Sequence, residues 1–391
     1  MRKLFCLVGA CVFALGASPA MAHGGKDFEV DDDRAQCKNA AFTSVQAAVD
    51  AAAARPGKDT IVVCPGLYQE QVRIEGPAQD GLRLEAKKHT KLDRDTTADP
   101  AREAIIKFPA ITLPTTPRAL VLVRDAEGVQ VSGFRITGPY VFPTCAEALD
   151  RTSGVRVDGN GSLKLDRNRI TEIRNSDPLL RGCQNGVAVQ VGRQSESQVG
   201  RATIEHNLID MYEKNGPTID GPGSFAWIHH NAIFGEGPTP VVAQNGLQVG
   251  REAGAKVEYN LVADNDYLPS TNEASGMILF DYGKLEVDHN LVVRNDTGIY
   301  LDGQKADVDH NLVTDGDADG IYLESSSSEN RIKDNRLKDN AEHDCHDQSV
   351  GARTAGTANF WGGNHAETQN RPGLCRGAAV TPPVFGAPLL P

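Results

Sequence analysis

The chain has 391 residues with 40% hydrophobic and 24% charged side chains, which excludes a protein disordered throughout or built from membrane spans. Its net charge of −12, with no run of five basic residues, lacks the electrostatic footprint of a nucleic-acid or anionic-membrane binder. Aromatic residues make up only 6% against 39 glycines and 21 prolines, so many turns around small aliphatic cores are expected rather than a helical bundle.

Residues 1–22 read as a secretory signal peptide: Arg2 and Lys3, an apolar stretch from Leu4 to Leu15, and Ala20-Met21-Ala22 before His23. No second apolar run of 18 residues follows, so no membrane span is expected. Cys6 and Cys11 leave with the leader. The six that remain permit fifteen pairings, of which the sequence-local one is expected: Cys37 with Cys64, Cys145 with Cys183, Cys345 with Cys375. Their spacings fit no zinc pattern. Within the next segment, 23–59, Thr43 or Ser44 caps a predicted helix through Ala54 that places Phe42, Val45, Ala48, Val49 and Ala52 on one face. Apolar stretches at 60–64, 82–86, 104–108 and 120–136 then read as short strands.

From there the chain repeats. Gly154, Gly186, Gly216, Gly246, Gly276, Gly298 and Gly320 follow one another at steps of 32, 30, 30, 30, 22 and 22 residues. One and three places after nearly every glycine stand aliphatic residues, the period-2 mark of a strand with one buried face; Pro217 is the exception. Asparagines follow at 168, 207, 231, 260, 290, 311 and 335, each with an aliphatic residue three before and two after. A unit of 22 residues cannot bury its apolar side alone, so the units must stack. The fold predicted is all-β, a parallel β-helix of about ten coils spanning 60–380. Asparagine amides stacked at one bend would hydrogen-bond along the column. The helix would cover one open end, and the Pro-rich residues 381–391 form a tail.

Phe42-Thr43-Ser44-Val45-Gln46-Ala47-Ala48-Val49 with Thr60-Ile61-Val62-Val63-Cys64-Pro65-Gly66-Leu67-Tyr68 is similar to the cap and first coil of pectin methylesterases and many bacterial β-helix proteins. The closing stretch, Asp344-Cys345 and Gly356-Thr357-Ala358-Asn359-Phe360-Trp361-Gly362-Gly363-Asn364 to Leu374-Cys375, resembles the end of secreted bacterial β-helix proteins. The chain thus resembles the right-handed parallel β-helix, or pectin-lyase-like, superfamily. That resemblance implies a right-handed fold and a substrate face beside the glycine-led strand. The Asp-Phe-Ile-Phe-Gly element of pectin methylesterases is missing, and so is the Gly-His-Gly element of polygalacturonases. Arg331-Ile332-Lys333 matches a polygalacturonase triplet, but alternation explains it as Ile332 buried between two outward cations.

Chemistry must therefore be sought in the outward columns. The longest connections, 169–185, 232–245 and 261–275, all precede a glycine-led strand and are expected to wall a cleft beside it. Outward residues two and four places after each glycine include Gln190, Gln248, Tyr300, Tyr322, Asp302 and Glu324. Asp302 and Glu324 fall on adjacent coils, with backbones about 4.8 Å apart. Such a pair suits glycoside hydrolysis or metal-assisted sugar chemistry, and Tyr300 and Tyr322 offer faces for sugar rings, with Gln190 and Gln248 as further substrate contacts. The plainer alternative is a solvated strand end with an aromatic ladder. A second candidate catalytic group, Asp220 with Lys214 and Arg181 beside Glu213, supplies the residue types of a lyase, a cation beside a carboxylate and a basic proton acceptor.

Asp315-Gly316-Asp317-Ala318-Asp319-Gly320 matches the first half of a calcium loop, but Ser326 stands where an EF-hand needs glutamate; a turn-bound calcium and a plain polar turn are the two readings. Asp288, His289, Asp309 and His310 read as the solvent face of the repeat. Taken together, the sequence points to a secreted or periplasmic monomer acting on an extracellular polysaccharide or surface glycan, as a glycoside hydrolase or polysaccharide lyase. The alternative is a non-catalytic surface or glycan-binding rod.

Overall fold

The computed structural model describes residues 27–375 except 56, 112–116, 143, 146–150 and 269–273. The predicted leader at 1–22 and tail at 381–391 lie outside the described residues. Among the described residues the coils turn through three parallel sheets, called here the first, second and third walls, whose strands are counted within those residues. The first wall holds ten strands, from Val72–Glu75 to Cys345–Asp347, and includes the glycine-led strands. The second holds twelve, from Asp27–Val30 to Phe360–Gly362, and runs into the asparagine bend. The third holds ten, from Gly66–Tyr68 to Arg336–Lys338, and leaves that bend. This is the predicted parallel β-helix. The strand Asp27–Val30, which pairs with Thr60–Val63, is an addition to the strands read from sequence.

Alternation dictates the interior. Val257, Val287, Val308 and Ile332 follow one another in register on the second wall, and Val262, Val292, Val313 and Leu337 on the third; all are buried. Each such side chain contributes roughly 1.5–3 kcal/mol when fully buried. Between the two walls the chain must bend sharply. It does so through a left-handed residue just before each asparagine: His206, His230, Tyr259, His289 and His310 have φ of 53 to 56°. That conformation costs roughly 1–2 kcal/mol for a residue with a Cβ.

The asparagine ladder offsets this cost. From Asn168 through Asn207, Asn231, Asn260, Asn290, Asn311 and Asn335 to Asn364, each Nδ2 donates to the next Oδ1 at 3.0–3.2 Å. Backbone N–H groups of the bend donate to the same oxygens at 2.9–3.0 Å. A second, shorter ladder joins Asn265 Nδ2 to Asn295 Oδ1 at 2.9 Å at the bend that leads to the first wall.

One register differs from the glycine count. Val155 pairs with Val189, so Ala188, not Gly186, occupies the glycine column between Gly154 and Gly216. A slip of two residues keeps every side chain on its face, so hydrophobic alternation does not detect it. The column itself needs small residues for close approach: a Cβ on Gly276 would sit 2.7 Å from the Gly298 carbonyl oxygen and from Val292 Cγ1.

The predicted capping helix spans Val45–Ala53, with Ser44 as its N-cap accepting from the Ala47 N–H, and buries Val45, Ala48, Val49 and Ala52. The three disulfides pair as expected, Cys37–Cys64, Cys145–Cys183 and Cys345–Cys375. Among the described residues no helix is long and apolar enough to cross a membrane.

Candidate functional site

The outer face of the first wall carries two columns. One runs Arg156, Gln190, Thr218, Gln248, Ile278, Tyr300, Tyr322, His346. Two residues further along the strands, Asp220, Gly250, Phe280 and Asp302 follow in register, and Glu324 comes directly after Leu323, the partner of Leu301. The corrected register brings Gln190 and Gln248 into one column with Thr218 between them.

The face divides into a covered and an open part. In the coils with long connections, Arg156, Gln190, Thr218 and Gln248 are at most 5% exposed although they point outward. Arg156 Nε donates to Asp158 at 2.6 Å, and Arg124 binds the other oxygen of the same carboxylate at 2.6 Å. Gln190 Nε2 donates to the Gly192 carbonyl at 2.7 Å, and Gln248 Oε1 accepts from Asn215 Nδ2 at 2.8 Å. One polar atom of each glutamine is thus engaged within the wall, while Gln190 Oε1 is buried without a hydrogen-bond partner among the described residues. Beyond Gln248 the face opens: Ile278, Tyr300, Asp302 and Glu324 are partly exposed.

At the open part partly exposed Tyr300 stacks on Tyr322, with ring centroids 5.3 Å apart and planes inclined by 16°. Tyr322, expected to be open to substrate, is only 8% exposed because it lies between Tyr300 and His346. Tyr300 Oη donates to Glu324 Oε1 at 2.8 Å, while Ser326 Oγ donates to Asp302 Oδ1. Asp302 and Glu324 therefore share a wall, a face and adjacent rungs. Each carboxylate has its own hydroxyl donor, and among the described residues no hydrogen bond joins the two.

The second candidate group does not converge. Lys214 precedes the strand Asn215–Asp220 and Asp220 ends it, so their backbones are about 20 Å apart at roughly 3.3 Å per residue. Asp220 pairs with Arg251 Nη1 at 2.9 Å, Lys214 Nζ donates to the Ala243 carbonyl, and Arg181 Nε donates to the Asn175 carbonyl at 3.2 Å. Lys214 is nonetheless a perturbed base: burial, reinforced by the Arg151 guanidinium, pushes its ammonium down to about 8. Arg151 is itself pushed down to about 10 by burial and by Arg193. Adjacent Glu213 is raised by burial, although the Asn185 and Asn175 N–H groups, each at 2.9 Å, and Tyr140 Oη all donate to it.

The three aspartates of the calcium-like segment also separate. Asp315 is exposed and accepts from Thr314 Oγ1 at 3.2 Å. Asp317 joins Asp266 and Asp296, where burial and a hydrogen bond with Asp266 push Asp296 up to about 7. Asp319 faces His343 and His346. The bend into the first wall turns alternate residues toward different neighbours, so these carboxylates do not wrap one ion as an EF-hand half-loop does. On the second wall His289 and His310 stack at 5.0 Å, each with its Nδ1 against the preceding aspartate. Ile332 is buried between exposed Arg331 and partly buried Lys333, as alternation requires.

Sequence reasoning missed His343 and His346. The signal was present: each lies 24 residues, one closing coil, after Asp319 and Tyr322 respectively. The glycine count ended at Gly320 because buried Asp344 takes the next place in the column.

Among solved structures, the chain is similar to the pectin methylesterase of Aspergillus niger, at 12% identity and a TM-score of 0.45 over 79% of this chain and 83% of that one. It is also similar to a DFA-IIIase from Arthrobacter chlorophenolicus A6, at 18% identity and a TM-score of 0.43 over 82% and 78% of the two chains. The Dettilon tailspike protein matches at 13% identity and a TM-score of 0.41 over 84% of this chain and 56% of that one. No curated protein matches it in sequence. Residues 151–371 match the family described as the right handed beta helix region, which is more than half of the chain, and the protein belongs to that family.

Proposed function

We propose that the protein is exported and acts on an extracellular polysaccharide along the open part of the first wall. The observation that carries this reading is the stacked Tyr300–Tyr322 pair with Glu324 hydrogen-bonded to Tyr300 and Asp302 one rung away. Tyr300, the partly exposed member of the stack, offers an aromatic surface to the C–H face of a sugar ring, and the adjacent carboxylates accept from sugar hydroxyls. Rungs about 4.8 Å apart also suit the roughly 5–5.5 Å carboxyl separation of a retaining glycoside hydrolase. In that reading one carboxyl group protonates the leaving oxygen while the other attacks the anomeric carbon; water then releases the sugar. Three disulfides within the described residues support export, since they persist in oxidising compartments.

The test is turnover on a polysaccharide panel, read by reducing ends and by absorbance of unsaturated products. The double variant Asp302→Asn, Glu324→Gln should lose hydrolytic turnover by at least about 100-fold. Unchanged turnover rejects the site. A lyase at Lys214 is the second enzymatic reading, supported by its lowered ammonium, and it predicts unsaturated products abolished by Lys214→Met. Glycan binding without turnover is the third, favoured by the hydroxyl donor that each carboxylate already holds. It predicts binding in wild type with no product of either kind.

A further inference from the structure

We propose that Asp319, His343 and His346 form a binding site for a transition-metal dication of the zinc class, at the end of the first wall beside Tyr322. The winding of the chain builds the group. The Gly298 N–H donates to the Asp319 carbonyl at 2.9 Å and the Gly320 N–H to the His343 carbonyl at 2.8 Å, which sets His343 one rung beyond Asp319. His346 is the register partner of Tyr322, and its ring meets the edge of that tyrosine at 4.8 Å. Two imidazoles thereby converge on one carboxylate: His343 Nδ1 lies 3.2 Å from Asp319 Oδ1, and His346 Nδ1 lies 2.8 Å from Oδ2.

Three physical points favour a metal over a simple hydrogen-bonded group. First, the donor atoms all lie within 4.8 Å of one another. Bonds of about 2.0–2.2 Å at tetrahedral or octahedral angles place neighbouring ligand atoms about 2.9–3.5 Å apart, so the two nitrogen–oxygen distances are already close to those of a ligand shell. Second, the Asp319 side chain is 4% exposed, and its ion-pair partners among the described residues are these two histidines alone. A buried carboxylate with no permanent cation beside it is costly unless it is paired or coordinates a metal. Third, access is graded. The His346 and His343 side chains are 16% and 34% exposed, so the carboxylate forms the floor, the imidazoles form the wall, and one side opens to water. Two imidazole nitrogens with one carboxylate select zinc, cobalt, nickel or copper; calcium and magnesium prefer all-oxygen shells.

The experiment uses the full chain after dialysis against a chelator, titrated with Zn²⁺ by calorimetry and with Co²⁺ by visible absorption. We expect one tight equivalent per chain and a Co²⁺ spectrum of nitrogen and oxygen ligation. His343→Ala and His346→Ala should each weaken that equivalent at least tenfold. His206→Ala, in the separate Asp166, Glu205, His206 group of the second wall, should leave it unchanged. His343 sits at the rim, so its variant is expected to fold, and near-ultraviolet circular dichroism checks this. The proposal is overturned if wild type gives no such spectrum, if the double His343→Ala, His346→Ala variant binds as tightly, or if His206→Ala removes the equivalent instead. These readouts are independent of polysaccharide turnover.

Discussion

Removing one rung of the asparagine ladder should destabilise the protein by about 4 kcal/mol. Asn260 is 1% exposed, and its Nδ2 donates to Ile228 O at 2.9 Å, Glu258 O at 3.0 Å and Asn290 Oδ1 at 3.0 Å. Its Oδ1 accepts from the backbone N–H and the Nδ2 of Asn231, both at 3.0 Å. Alanine leaves the buried Asn231 N–H without its acceptor, at about 1–3 kcal/mol, and forfeits donor bonds worth about 0.5–1.5 kcal/mol each. Asn260→Asp keeps the acceptor but turns an anionic oxygen toward three acceptors, so at neutral pH it should be at least as damaging. Its carboxyl pKa in the folded state must then lie above the unfolded value, so stability is regained as pH falls through that raised pKa and the gain is complete by about pH 4. Urea unfolding followed by circular dichroism measures both variants, with Lys284→Ala on the exposed face as a control expected to change little. A loss below about 1 kcal/mol for Asn260→Ala, or a milder effect of aspartate at neutral pH, would refute the ladder as a structural device.

Three further outcomes follow from the geometry. Gly276→Ala should cost about 1–3 kcal/mol in the same assay, because its Cβ would meet both the next rung and the third wall. Lys214, lowered to about 8 in the fold, is held there less readily as a cation than in the unfolded chain. The unfolded state therefore binds more protons between pH 8 and about 10.5, and this residue's penalty is full below pH 8 and fades as pH rises through that window. The pH-dependence of stability for wild type minus Lys214→Met reads it, and a flat difference contradicts it. Replacing Cys345 and Cys375 by serine opens a link with a sequence separation of 30, and about 3–4 kcal/mol should be lost on the chain-entropy account; a change in urea midpoint equivalent to less than about 1 kcal/mol would argue against it.

The stacking was legible in the sequence because asparagines and their flanking aliphatic residues recur with fixed offsets: Asn290 with Val287 and Val292, Asn311 with Val308 and Val313. Alternation reports only the face on which a residue lies, so it could not distinguish Gly186 from Ala188 as the member of the glycine column. The burial of Gln190 and Gln248 was hidden for a related reason: outward on a wall is not the same as exposed when long connections accompany it. Asp315, Asp317 and Asp319 read as one segment, yet their partners come from other coils, and such non-local neighbours require the register to be known. Asp302 and Glu324 were placed because their coils are short and regular, so counting 22 residues sufficed.

Glycan binding by Tyr300→Ala, Tyr322→Ala compared with Trp227→Ala tests the central claim most directly, since Trp227 is an exposed aromatic on the second wall. Calorimetry or a glycan array on the same polysaccharide should show at least tenfold weaker binding for the tyrosine pair and no change for Trp227→Ala. Binding retained by the tyrosine variant, or lost only with Trp227, would place the ligand on a different wall.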